Sequence, residues 1–209
     1  MKSLRVIFLI SLMICAIAGV ARTAADFFVS MPQEHAVVFS QIQRMDMLDY
    51  FRYGSVAGPE NLYGDKSRIA AETPSLLTVA VTENSTMQVA MFASKNDTIL
   101  AVISTVDIQA HDAQIEFYDR NWKPLRRNPV SKPLFCDWIT KEGEAHIADI
   151  TMALEFIPVT INYDPEASTL TFHNNMENLV SAYDAQRLSK WLLSDIVYDV
   201  KGTKFSRRK

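Results

Sequence analysis

Residues 76–105, LLTVAVTENSTMQVAMFASKNDTILAVIST, decide the fold of this 209-residue chain. Apolar residues alternate with polar or small ones on both sides of the turn-forming residues 83–85, and a second turn at 95–97 precedes the continuously apolar residues 99–103. A period of two is typical of strands with one buried face, and a short apolar run is typical of a strand covered on both faces. Because residues 113–118 alternate as well, the pattern predicts an antiparallel meander of four strands.

A helix is predicted on the N-terminal side of this meander. Ser30 and Gln33 have the spacing of a capping box, and the apolar residues that follow recur at steps of four, three and three, as on one face of a helix: Val38, Ile42, Met45 and Leu48. We therefore predict a helix over residues 31–52. Residues 54–75 contain glycines and prolines without a sustained period, which indicates a long loop with one short helical turn at 67–71.

Beyond the meander the pattern becomes sparser. A hairpin is predicted by the alternating residues 159–163 and 170–172 on either side of a turn. Asp184 can cap a helix that carries Leu188. A last strand is indicated by residues 196–200. Residues 201–209 are basic and are expected to fray. The predicted fold class is α+β, with a first module over residues 26–125 and a second, smaller module with a hairpin and a C-terminal helix over 126–200. Whether the two modules are a duplication stays open.

The first 25 residues have the composition of a signal peptide. Lys2 and Arg5 precede an apolar run over residues 6–20, which at fifteen residues is shorter than the roughly 20 that span a membrane as a helix. Small residues follow, and we predict cleavage after Ala25, export, and a mature chain without a transmembrane helix. Two alternatives are lipidation at Cys15, which the bulky residues before it disfavour, and retention of the segment as an anchor.

Composition and charge exclude several classes of protein. With 48% hydrophobic and 22% charged residues the chain is globular rather than disordered. Loss of the three basic residues in the leader leaves 18 basic against 24 acidic side chains, a net charge of −6, so nucleic acid is excluded as a partner. Cys136 is then the single cysteine, and stability must come from a packed core rather than from a disulfide.

Several segments, spread over nearly all of the mature chain, resemble the secreted Bacteroidales proteins grouped as domain of unknown function 3256. The segments are FFVSMP at residues 27–32, DMLDY at 46–50, NLYGDKS at 61–67, IEFYDRNWKPL at 115–125, and residues 191–205. The resemblance implies export in a Gram-negative anaerobe. It implies no established activity and supplies no catalytic residue.

Motifs that would indicate an enzyme are missing from the sequence. The six glycines form no phosphate-binding or nucleophile-elbow motif, and the four histidines form no zinc motif. Asp107, His111 and Asp112 come closest to a metal cluster, but a solvated loop explains them better. His146 and Asp149 have the i, i+3 spacing of a surface pair. We therefore assign no catalytic residue, no metal and no cofactor.

Other reactive side chains also have structural explanations. Cys136 could act as a nucleophile beside an imidazole, but its apolar neighbours predict a buried thiol. Asp46 and Asp49 could share acid–base work, but they fit the solvent-facing side of the predicted helix. Asp97-Thr98-Ile99, at a turn, matches the short signal for O-glycosylation in exported Bacteroidales proteins, so Thr98 is a candidate for a glycan.

The long loop is the best candidate for a binding surface, because functional groups are often carried on loops. It offers polar and charged side chains for hydrogen bonds to a ligand: Asn61, Lys66, Ser67 and Arg68. The leading hypothesis is a non-enzymatic envelope protein that binds a protein or a glycan. The alternatives are a hydrolase with carboxylates or Cys136 in a site between the modules, and a small-molecule carrier with a pocket of Met and aromatic side chains.

Overall fold

The computed structural model describes residues 22–108 and 110–208. These residues form an α+β fold with two antiparallel sheets and, within the described ranges, four α-helices. The helices are α1 (Ala24–Ser30), α2 (Gln41–Arg52), α3 (Ile147–Ala153) and α4 (Ala182–Leu188). No helix in the described ranges is both long enough and apolar enough to cross a bilayer. Residues 1–21 of the predicted leader lie outside the described residues.

The first sheet is the predicted meander with one additional strand. Its five strands follow each other in chain order, each antiparallel to the next: β1 (Arg68–Glu72), β2 (Leu76–Thr82), β3 (Ser85–Ala93), β4 (Thr98–Val106) and β5 (Asp112–Asp119). The helical turn predicted at residues 67–71 is wrong, because β1 occupies that segment. Only Ile69 of β1 is fully buried, so the strand is too weakly patterned to be recognised from its sequence.

The second sheet contains the predicted hairpin and two further strands. Its order is β6 (Val159–Asp164), β7 (Thr169–Asn174), β8 (Asp195–Lys201) and β9 (Lys204–Arg207). The predicted last strand is β8. The frayed tail predicted for residues 201–209 is replaced by β9, which returns after a turn at Gly202 with φ of +61°. The Phe205 ring lies 4.8 Å from the Phe92 ring of the first sheet.

Both faces of the first sheet are buried, as its apolar β4 predicts. One face packs against the second sheet in a shared core that includes Phe92, Ile103 and Phe172. The other face packs against α1 and α2 in a core that includes Phe28 and Leu100. The result is three layers, with helices, five-stranded sheet and four-stranded sheet stacked in that order. The two predicted modules each contribute one sheet to a common core.

The N-terminal helix differs from the prediction. Of the single helix expected over residues 31–52, only Gln41–Arg52 is helical, as α2; residues 31–40 are a loop, and α1 precedes the predicted range. Ser30 ends α1, and the capping boxes are formed instead by Thr23 with Asp26 and by Ser40 with Gln43. The predicted apolar stripe is only partly right. Leu48 is buried as predicted, but Ile42 is 72% and Met45 50% exposed, and Arg44 and Met47 complete the buried side of α2. A buried arginine on this side explains the error, because hydropathy patterns count arginine as solvent-facing.

The smaller helical elements are partly as expected. A 3₁₀ turn covers Phe135–Trp138. Ser181, rather than Asp184, is the N-cap of α4, since its hydroxyl accepts a hydrogen bond from the Asp184 amide at 3.2 Å. Leu188 is fully buried as predicted.

Candidate functional site

The loop between α1 and α2 borders a cleft of about 500 Å³. We call it the first cleft. Three elements line it, namely this loop, β5, and the segment that follows β5. The lining residues are Glu34, His35, Val37, Ile115, Glu116, Phe117, Tyr118, Pro124, Leu125 and Asn128.

His35 and Tyr118 form the polar part of the first cleft. His35 Nε2 lies 3.1 Å from the main-chain oxygen of Trp122. A carbonyl oxygen can only accept, so Nε2 is the protonated nitrogen and donates this hydrogen bond. The Tyr118 hydroxyl donates to Glu116 Oε2 at 3.1 Å. Burial, assisted by the charge of Glu116, raises the pKa of Tyr118 to about 12. The phenol therefore stays protonated at neutral pH, and both groups act as fixed hydrogen-bond donors within the protein.

A second cleft of about 410 Å³ also borders this loop. The residues that line it are Gln33, Val37, Val38, Ser40, Gln43, Asn61 and Leu62. Val37 lines both clefts and its residue surface is 60% exposed. We call Val37 together with the two clefts the Val37 surface.

Arg44 holds the loop that carries Val37. Its residue surface is only 2% exposed, and its guanidinium donates to main-chain oxygens at both ends of the loop, Nη2 to Met31 at 2.6 Å and Nη1 to Phe39 at 3.0 Å. The Gln33 side chain adds a hydrogen bond of 3.0 Å to the same Phe39 oxygen. Burial lowers the pKa of Arg44, yet a guanidinium remains charged at any physiological pH. The loop is thus fixed from within while Val37 faces outward.

The charge on the Val37 surface is negative. Glu34 and Glu116 are exposed carboxylates at the first cleft, and neither cleft is lined by a lysine or an arginine. The other walls include the aliphatic side chains of Val37, Val38, Ile115, Leu125 and Leu62. Such a surface matches a ligand that presents apolar groups beside a positive charge.

Asn61 and Ser67, two of the four predicted binding residues, are buried and hydrogen-bonded within the protein. Asn61 is 6% exposed, and its Nδ2 donates to Ser67 Oγ at 2.9 Å and to the Val81 oxygen at 2.8 Å. Ser67 is fully buried and donates to the same Val81 oxygen at 2.7 Å. These two side chains fasten the long loop to β2 and do not offer donors to a ligand. Lys66 and Arg68, the other two predicted residues, are exposed.

The possible metal cluster is not assembled. His111 Nδ1 lies 3.0 Å from Asp107 Oδ1, but Asp112 instead contacts the Lys132 ammonium and accepts a hydrogen bond of 2.9 Å from the Val159 amide. Across residues 22–108 and 110–208, no group of three or more His, Cys, Asp or Glu side chains could hold a metal ion. Asp112 therefore ties β5 to β6.

The remaining predicted residues divide into confirmed and corrected ones. His146 Nδ1 lies 3.6 Å from Asp149 Oδ2, as the i, i+3 spacing predicted, and the imidazole also stacks on Trp191 with ring centroids 4.0 Å apart. Cys136 is an exposed free thiol, contrary to the prediction of a buried one. The neighbouring Trp138 is buried in its place. Thr98 is partly exposed at the start of β4, next to a turn.

One polar group was missed by sequence reasoning. Asp195 accepts hydrogen bonds of 2.8 Å from both His173 Nδ1 and Ser194 Oγ. His173 and Asp195 are register partners on β7 and β8, a relation that sequence spacing does not reveal. Because the Ser194 hydroxyl bonds to the carboxylate and not to the imidazole, the group lacks the nucleophile–base contact of a hydrolase triad.

Comparisons with known proteins give a family and a fold. The sequence matches the model of the family described as "Protein of unknown function (DUF3256)" over residues 16–205. Among curated proteins none matches the chain. A solved structure described as a domain of an uncharacterized protein from Porphyromonas gingivalis W83 is similar, with a TM-score of 0.73 and 19% identity over 90% of this chain and 99% of that one. At this identity the likeness establishes a common fold.

Proposed function

We propose, from the premise that this chain belongs to the DUF3256 family of proteins of unknown function, that it is an exported binding protein. Its ligand is a protein segment that places apolar side chains in the two clefts beside Val37. A basic side chain of that segment lies next to Glu34 and Glu116. The function is recognition rather than catalysis.

The exposure of Val37 between two clefts is the observation that supports this proposal most. Two of the exposed large hydrophobic residues in the described ranges, Val37 and Leu62, line these clefts, so apolar surface is exposed there beside polar side chains. Concentrations of exposed apolar residues with polar residues around them often mark interaction sites. Since Arg44 already fixes the loop, binding there requires little further ordering of the backbone.

The aromatic rings favour a protein ligand over a glycan. Tyr118 lines the first cleft, and the ring of Trp122 packs against it. Both residues are buried, so the faces of their rings are unavailable for stacking against a sugar ring. The exposed walls are aliphatic, as in grooves that take apolar side chains of peptides. The two carboxylates add selectivity for a basic residue on the partner.

The enzymatic alternative has less support from the geometry. Cys136 lies on the 3₁₀ turn Phe135–Trp138 and lines neither cleft. Tyr118 stays protonated at neutral pH, and His35 is bonded to a main-chain oxygen. None of these side chains forms a pair of nucleophile and base.

The experiment that tests the proposal is co-isolation of partners with a charged substitution at Val37. The tagged full-length chain is expressed in its native organism, cross-linked in intact cells, and purified in parallel as Val37→Glu and Val56→Glu. Val56 is the matched control, because it is an exposed valine (89%) that lines neither cleft. We expect a partner recovered with the unmodified chain and with Val56→Glu to fall at least tenfold with Val37→Glu. Equal recovery with both variants would contradict the proposal.

A further inference from the structure

Residues 22–25, which the sequence pattern assigns to the leader, are part of the folded domain. Ala24 and Ala25 are fully buried in the core between α1 and the first sheet. The Ala24 amide donates a hydrogen bond of 2.9 Å to the Pro74 oxygen, just before β2. Both alanines therefore pack in the core, and Ala24 also has a main-chain partner far along the chain.

Thr23 caps the helix that contains these alanines. Its hydroxyl accepts from the Asp26 amide at 3.3 Å, and its own amide donates to Asp26 Oδ2 at 2.7 Å. The two bonds form a complete capping box, which satisfies amides that the first turn of a helix leaves without partners. Thr23 is thus where α1 begins.

Arg22 contributes contacts on the outer side of α1. Its guanidinium carbon lies 3.9 Å from the centroid of the Phe27 ring, within the range of a cation–π contact. It also donates to the Ser30 hydroxyl at the other end of the helix. Arg22, the first residue that the structure describes, therefore has contacts within the domain.

Cleavage after Ala25 would remove all of these contacts. The new amino terminus, Asp26, would place an ammonium charge at the N-terminal end of the helix dipole, where positive charge is unfavourable. It would also leave space in the core where the two alanine methyl groups pack. The folded structure thus argues against the cut that small-residue spacing alone predicts.

The sequence offers two other cuts upstream. A signal peptidase needs small residues at the first and third positions before the bond that it cuts. The Ala18–Gly19 bond meets this condition with Ala18 and Ala16. The Ala21–Arg22 bond meets it with Ala21 and Gly19. We propose that a leader peptidase hydrolyses the Ala18–Gly19 or the Ala21–Arg22 bond, releasing the leader with a new carboxylate, and that the mature chain keeps residues 22–25 as the start of its fold.

The direct test is the amino terminus of the exported protein. The full-length chain is expressed in a Gram-negative host, recovered from outside the inner membrane, and analysed by intact mass and N-terminal sequencing. A first residue of Gly19 or Arg22 is the expected result. A first residue of Asp26, or a chain that keeps its leader, would overturn the proposal.

Two variants separate the competing cuts. Thr23→Asp keeps a residue that caps helices well but puts an acidic side chain at the third position before the Ala25 cut. It should be processed to the same extent as the unmodified chain, whereas accumulation of its precursor would overturn the proposal. The double variant Ala18→Gln with Ala21→Gln removes the small residue before both upstream bonds. Its precursor should accumulate, and normal processing to Asp26 would overturn the proposal independently.

Discussion

The buried guanidinium of Arg44 donates a hydrogen bond of 2.6 Å to the main-chain oxygen of Met31. Met31 follows the last residue of α1, where the helix dipole is negative, so a cation is favourable there. A further bond to Phe39 closes the other end of the loop. Arg44, which lies on the buried side of α2, thus links the helical core to the loop that carries the exposed Val37.

Replacing Arg44 tests whether it holds this loop. Arg44→Met keeps much of the volume but leaves the oxygens of Met31 and Phe39 without their donor, so we expect the free energy of unfolding to fall by about 3 kcal/mol in urea. The control is Arg52→Met, which removes a partly exposed ion pair with Glu72 and should cost less than about 1 kcal/mol. Equal losses in the two variants would show that Arg44 has no special role.

Asn61 should contribute more to the free energy of unfolding than Lys66, a charged residue on the same loop. Asn61→Ala removes its hydrogen bonds to Ser67 and Val81, together with those that its Oδ1 accepts from the amides of Tyr63 and Asp65. The expected loss is therefore about 2–3 kcal/mol. Lys66→Ala, on the exposed side of the same loop, should change stability by less than about 0.5 kcal/mol. Chemical denaturation monitored by circular dichroism measures both. A larger loss of stability for Lys66→Ala than for Asn61→Ala would contradict the structural role of Asn61.

The C-terminal strand should contribute to the core. Phe205 is half-buried and its ring contacts those of Phe92 and Phe117, so Phe205→Ala should lower the free energy of unfolding by about 2 kcal/mol. Ser206→Ala, on the exposed position next to it, is the control and should be nearly neutral. A neutral Phe205→Ala would instead fit the frayed tail that the basic sequence indicates.

The capping carboxylate of α1 predicts a pH dependence. The hydrogen bond from the Thr23 amide is the main cause that holds the pKa of Asp26 below its ordinary value of 3.8. A group whose pKa is lowered by folding stabilises the fold above its unfolded pKa, and this contribution is lost as the pH falls through the folded value. Thermal unfolding should therefore show Asp26→Asn less stable than the unmodified chain at pH 6, with the difference shrinking below pH 3.8. A difference that grows on acidification would contradict the assignment.

The sequence predicted the elements that depend on local pattern and missed those that depend on distant partners. Strands β2 and β3 alternate over seven and nine residues, which is long enough for the period of two to be evident. Strand β4 was recognised from its continuously apolar residues 99–103. In contrast, the pairing of His173 with Asp195 depends on the register of β7 with β8. Such a register is fixed by the three-dimensional fold and cannot be read from the chain.

The Val37 surface could not be predicted for a related reason. Ser30 and Gln33 imitate a capping box, so the segment that carries Val37 resembled the first turns of a helix. What turns it into a loop is the hydrogen bonding of Arg44, whose burial the hydropathy of the chain does not indicate. The candidate site therefore centres on the loop before α2, and Asn61 lines only its second cleft.

Site-specific photo-cross-linking tests the role of Val37 most directly. A photoreactive amino acid is placed at position 37 or, as the control, at position 56, and intact cells of the native organism are irradiated before mass spectrometry. We expect position 37 to cross-link a defined peptide segment with apolar side chains and a basic residue, and position 56 not to do so. Glu34→Gln with Glu116→Gln should weaken that cross-link. Absence of any adduct specific to position 37 would contradict the account.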